Sequence, residues 1–97
     1  MEKMPSDIKI RSRKDIVWKV MDGEGILLHL KSGDFFKLND TGLKIWKLTN
    51  GQRTIGQISA LLVRDSKFSP KTINQETEKF FRTLFRHNLV EKVDSIS

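Results

Sequence analysis

The period of the hydrophobic positions changes once along this chain, near residue 40. Before that point apolar residues recur every second position. Residues 15–21 set Ile16, Trp18 and Val20 against Val17, Lys19 and Met21, which predicts a first strand with one face more apolar than the other. The turn-rich run at 22–25 predicts a hairpin connection, and 26–30 a second strand in which Ile26, Leu28 and Leu30 share a face opposite Leu27 and His29. Ser32 and Gly33 then predict a tight turn into a third strand over 34–38, with Phe36 and Leu38 on one face and Phe35 and Lys37 on the other. Short connections make the three an antiparallel meander in sequence order. Its third strand is left as an open edge unless another element covers it.

After residue 40 the spacing becomes helical. Asn39, Asp40 and Thr41 are three candidate N-caps for a helix to Leu48, stopped by Asn50 or Gly51. Thr54 with Gln57 forms a capping-box pattern for a second helix, whose stripe is Ile55, Ile58, Leu61 and Leu62. A loop at 65–69, anchored by Phe68, leads to Pro70 and a third helix over 71–87. Asn88 stops it, and 91–93 is a short extended end. Ile73, Thr77, Phe80 and Leu84 form the core stripe of the third helix, with Phe81 and Phe85 offset from it by about 100°. Lys79, Arg82 and Arg86 make a basic stripe alongside. That breadth allows two readings: a wide core helix with a solvated edge, or a helix that lines a ligand groove. The fold class predicted is α+β: a three-stranded antiparallel sheet followed by three helices.

Ninety-seven residues suffice for a single modest core. The organisation expected is a flexible basic arm over 1–14, including Arg11, Arg13, Lys14 and an extended piece at 8–10, and one domain over 15–93. No apolar run is long enough to span a membrane, and the N-terminus has no secretory pattern. With no cysteine in the chain, disulfides, thiolate zinc sites and iron–sulfur clusters are excluded. A cytoplasmic protein is the expectation. The net charge of +6 admits an acidic partner, either nucleic acid or peptide, although it also serves solubility.

The chain offers little to an enzyme. It lacks a GxSxG elbow, a phosphate-cradling glycine loop and an HExxH pair, and His29 and His87 have no companion at metal-ligand spacing. Neither a catalyst, a metal nor a cofactor is expected, and a binding module is the better default.

One stretch is more specific. Residues 33–46 read GDFFKLNDTGLKIW, followed by TIGQI at 54–58 and an F-x-x-L-x-x-x-x-L-V ending from Phe81 to Val90. This succession resembles the PqqD-like family, the coenzyme PQQ synthesis protein D type, also called RiPP recognition elements. The resemblance covers about residues 15–93. It implies a winged helix-turn-helix-like fold that binds the leader segment of a ribosomally synthesised precursor peptide. It also implies delivery of that peptide to a modifying enzyme, a radical SAM maturase or a leader peptidase. The leader is expected to add as a strand to the third strand, against the third helix. Carried onto this chain, the peptide-binding residues are Asp34, Phe35, Phe36, Lys37 and Leu38, facing Lys79, Phe81, Arg82, Phe85 and Arg86. The basic arm leaves room for a homodimer or for enzyme docking. The competing reading is a winged-helix DNA-binding regulator, motivated by the charge and the basic third helix. Against it, Phe80, Phe81, Leu84 and Phe85 leave that helix little polar length to read base edges. A third reading is an adaptor that binds only the enzyme.

Overall fold

The computed structural model describes residues 7–93. Six strands and three helices follow in the order β1 (Lys9–Ser12), β2 (Ile16–Met21), β3 (Glu24–His29), β4 (Phe35–Leu38), α1 (Asp40–Leu48), β5 (Asn50–Thr54), α2 (Ile55–Arg64), α3 (Pro70–Arg86) and β6 (Val90–Lys92). The strands form two antiparallel three-stranded sheets, β2-β3-β4 and β5-β1-β6.

The first sheet is the expected meander. Its core face carries Ile16, Leu27 and Leu38, all buried, as register pairs Leu27 with Phe36 and Gly25 with Leu38. The core side of β3 is therefore the Gly25–Leu27–His29 face. Leu28, on the more hydrophobic-looking face, is exposed, as is Leu30 beyond the strand. Trp18 and Val20 share the inner side of β2 but reach past the core and stay 44% and 46% exposed. Gly25 is where α1 crosses: a Cβ there would lie 2.8 Å from Leu43 Cδ1 and 3.2 Å from Leu38 Cβ. The missing side chain lets the helix seat Leu43, Ile45 and Trp46 directly on the sheet.

The second sheet corrects two expectations. Residues 9–12 are not a loose arm but the central strand between β5 and β6. The reason is Ile10, which is fully enclosed, while Ile8 packs on the core margin. The polar residues that made the segment look like a tail are its outer face, where Arg11 Nε meets Glu91 Oε2 at 2.7 Å. The sheet also does not simply precede the helices, since β5 lies between α1 and α2 and β6 follows α3. NGQRT looked like a helix stop, and Gly51 does take a left-handed φ of +84°, but inside a strand rather than as a cap.

The helix boundaries follow side-chain capping. Asn39 Oδ1 accepts from Gly42 N at 2.8 Å and starts α1. Thr54 and Gln57 complete the capping box of α2. Ser69 caps α3, with Pro70 as its first residue. Phe68 does not anchor the preceding loop; it is 68% exposed.

Candidate functional site

The hairpin from β3 to β4 sets the geometry of the open edge. His29 N donates to Asp34 O at 2.9 Å and Gly33 N to His29 O at 2.8 Å, a closure that needs the φ of +78° at Gly33. Ser32 Oγ accepts from Asp34 N at 3.2 Å and steadies the exit. Hydrogen-bonded pairs alternate in an antiparallel ladder, so a bonded 29–34 pair makes 27–36 and 25–38 the next bonded pairs. The backbone groups of Phe36 and Leu38 thus face β3. Those of Phe35 and Lys37 point away from it, along the edge that no described strand covers.

Across that edge stands the C-terminal half of α3. The Phe36 ring lies 5.0 Å from the His87 ring, tilted by 49°. One helical stretch earlier, Phe80 comes so close to α1 that a Cβ at Gly42 would lie 3.1 Å from its Cε1. His87 and Phe80 are seven residues apart and share one stripe of the helix. The structure therefore sets Phe36 and His87 in contact beside the open β4 edge, with Phe80 on the same stripe of the helix where it meets α1.

The expected site residues divide. Phe35 is 64% exposed and Lys37 is exposed, both with side chains on the outer face of the sheet; Asp34 closes the turn. Phe36 is half-buried on the inner face, and Leu38 is buried in the core, so only its backbone is near the edge. Lys79 and Arg86 are exposed and lie about 100° and 120° round the helix from Phe80, on the side away from the core. Phe81 is not a groove residue: it is completely enclosed among Ile73, Leu84 and the rest of the core. Arg82 is turned about 200° from Phe80, and its Nη2 bonds Glu78 Oε1 at 2.8 Å. Phe85, about 140° round, packs on the opposite margin of the core.

Neither Phe80 nor His87 is among the expected site residues. Phe80 packs against the core, in keeping with its place on the core stripe, and His87 is exposed, so their position near the β4 edge adds to the sequence reading rather than overturning it. Their seven-residue spacing, with an aromatic at each end, was the available signal. Among the described residues no group of three or more His, Cys, Asp or Glu side chains could hold a metal ion, and no helix is long and apolar enough to cross a membrane.

With this geometry established, comparisons give the lineage. The structure resembles TbiB1 in complex with the TbiA(beta) leader peptide, with TM-score 0.77 and 26% identity over 84% of this chain and 94% of that one. It also resembles a lasso peptide synthetase B1 complexed with the leader peptide, with TM-score 0.78 and 18% identity over 86% of this chain and 98% of the other. A third relative is the PqqD truncation of Methylobacterium extorquens PqqCD, a stand-alone RiPP recognition element, with TM-score 0.75 and 21% identity over 93% and 95%. No curated protein sequence matches significantly. The sequence pattern of coenzyme PQQ synthesis protein D matches residues 24–90, from β3 to the start of β6, and the chain belongs to that family.

Proposed function

We propose that this protein binds the leader segment of a ribosomally synthesised precursor peptide and presents it to a modifying enzyme. It acts as a binding module, and its fold is read as winged helix-turn-helix-like. The leader adds antiparallel to β4, bonding the outward N–H and C=O groups of Phe35 and Lys37 while its inward side chains enter the cleft of Phe36, Phe80 and His87. Backbone pairing supplies affinity with little sequence demand, and the pockets for alternate side chains supply specificity. The observation that carries this reading is the open β4 edge facing the aromatic stripe of α3, in a chain similar to TbiB1, which was solved with a leader peptide. The partner enzyme, a radical SAM protein or a leader peptidase, and a cytoplasmic setting belong to the same proposal. DNA binding is the weaker reading, because Arg82 is engaged by Glu78 and the cations left on the exposed side of α3 flank an aromatic cleft.

The test is a titration of the ¹⁵N-labelled protein with a synthetic leader from a precursor open reading frame sought beside its gene. Amide shifts concentrated at Phe35, Lys37, Phe80 and His87 are expected. Saturable binding that leaves all four unmoved would place the peptide elsewhere.

A further inference from the structure

The stripe of α3 that bears His87 and Phe80 continues, seven residues earlier, to Ile73. Ile73 lines a second hollow of about 680 Å³, enclosed by α1, α2 and the α2–α3 connection. Its apolar lining is Leu48, Leu61, Leu62 and Ile73, with Phe68 at the mouth, and around that lining stand Lys44, Lys47, Arg53 and Lys67 with Asp65 as the sole carboxylate. An adjoining hollow of about 500 Å³ shares Arg53 and Leu61 and adds Arg64. Neither hollow includes Phe36, Phe80 or His87.

Helix chemistry explains some of these charges. Lys47 and Arg64 sit in the last turns of α1 and α2, where cations complement the helix dipole, and Arg53 Nη1 reaches Leu48 O at 3.4 Å. Lys44 and Lys67 have no such role. Among the described residues none of the hollow's cations takes part in an ion pair. Like charges gathered at one opening repel each other, and an arriving anion relieves that repulsion. Phe68 is the second anomaly. Its loop is pinned, with Phe68 N donating to Ser66 Oγ at 3.0 Å and Ser66 N to Val63 O at 3.3 Å, yet the ring is held out to solvent.

The geometry points to this hollow as the continuation of the peptide track. We propose that it receives the part of the leader N-terminal to the strand-forming residues, and that this part is acidic with at least one large apolar side chain. The inference rests on the leader-binding reading and adds a specificity to it. β4 runs toward α1, so an antiparallel leader has its upstream end near Leu38 and the start of α1. Thr41, which follows there, lines the hollow. Phe80 to Ile73 is about 10 Å along the helix, which about three extended residues cover. A large apolar side chain fills the lining beside Phe68, and carboxylates on either side meet Lys44 and Lys67.

The experiment measures the affinity of two synthetic peptides made from the leader used in that titration: the full leader, and a form cut immediately upstream of the residue that pairs with Lys37. Each is tested on the full chain and on a Lys44→Glu, Lys67→Glu variant. A Lys19→Glu, Lys92→Glu variant applies the same change of net charge elsewhere. All four lysines are exposed, and circular dichroism checks that the fold survives. The full leader is expected to bind at least 10-fold more tightly than the cut form. The groove variant should remove that advantage while leaving the cut form's affinity unchanged, and the control variant should preserve it. Equal binding of both peptides to the unmodified protein overturns the inference but leaves the β4 assignment intact. Failure of both to bind removes the leader-binding reading itself. Equal peptide binding together with loss of turnover by the modifying enzyme in the groove variant assigns the hollow to the enzyme and also overturns the inference.

Discussion

Phe36 and His87 hold the edge strand and the C-cap of the third helix at a fixed separation, with ring centroids 5.0 Å apart. The two residues come from elements with 48 residues of chain between β4 and the C-cap of α3. The contact ties β4 to the C-terminal end of α3. Truncating either ring loosens β4 against α3. A double-mutant cycle of Phe36→Ala and His87→Ala, read by urea unfolding, should give a coupling of about 0.5–1.5 kcal/mol. His87→Ala should weaken leader binding and His87→Phe should restore most of it. Zero coupling would mean that the rings are neighbours without fixing the cleft.

The alternation of the β3–β4 ladder makes a sharper prediction. The Lys37 N–H points to the open edge, whereas the Phe36 N–H is committed to Leu27. Proline removes one N–H and is tolerated on an edge when that N–H faced outward. Lys37→Pro should therefore fold, with an unchanged circular dichroism spectrum, and lose leader affinity by 10-fold or more. Phe36→Pro should unfold or melt far lower. If Lys37→Pro binds as well as the unmodified protein, strand addition at this edge is wrong.

How legible all this was in the sequence varied by element, for identifiable reasons. The meander, Thr54 with its capping box and Pro70 at the start of α3 were readable because each depends on neighbours in sequence. The second sheet was not. β1 reached only as far as an extended piece at 8–10, because a four-residue strand with a single enclosed side chain, Ile10, leaves almost no pattern. β5 reads NGQRT, a sequence of turn and polar residues that becomes a strand only because β1 lies beside it. Of the site, the edge strand was legible from its place at the end of the meander. The helix wall was legible only in part: a broad apolar face does not say which flank is packed and which is open. The packing puts Phe81 fully inside and Phe80 at the core margin against α1.

Phe81 and Arg82 follow from that correction. Phe81 is fully enclosed, so Phe81→Ala should cost about 3–5 kcal/mol of stability and affect leader binding only through the unfolded fraction. Arg82→Ala breaks an i,i+4 pair with Glu78 that is partly open to solvent, worth about 0.3–0.5 kcal/mol, and should leave leader affinity unchanged. Calorimetric binding at a temperature where both variants are folded separates the two effects. A large loss of affinity in folded Arg82→Ala would bring that side of α3 into the site.

Thr77 carries the last prediction. It sits in the middle of α3 with 1% of its surface exposed, between the core residues Ile73 and Phe81 on the helix face turned inward. Its hydroxyl has no hydrogen-bond partner among the described residues. A buried hydroxyl without a partner keeps its desolvation cost, about 1–3 kcal/mol, with no bond to offset it. Valine has the same branched shape and replaces the hydroxyl with a methyl group. Thr77→Val should therefore raise stability by about 1 kcal/mol in urea unfolding and leave leader affinity unchanged. Thr77→Ser keeps the hydroxyl and removes a packed methyl, so it should lower stability. If Thr77→Val is instead destabilising, the hydroxyl is bonded to the carbonyl of Ile73 one turn back, as threonine does within helices. The core of α3 would then contain a satisfied polar group.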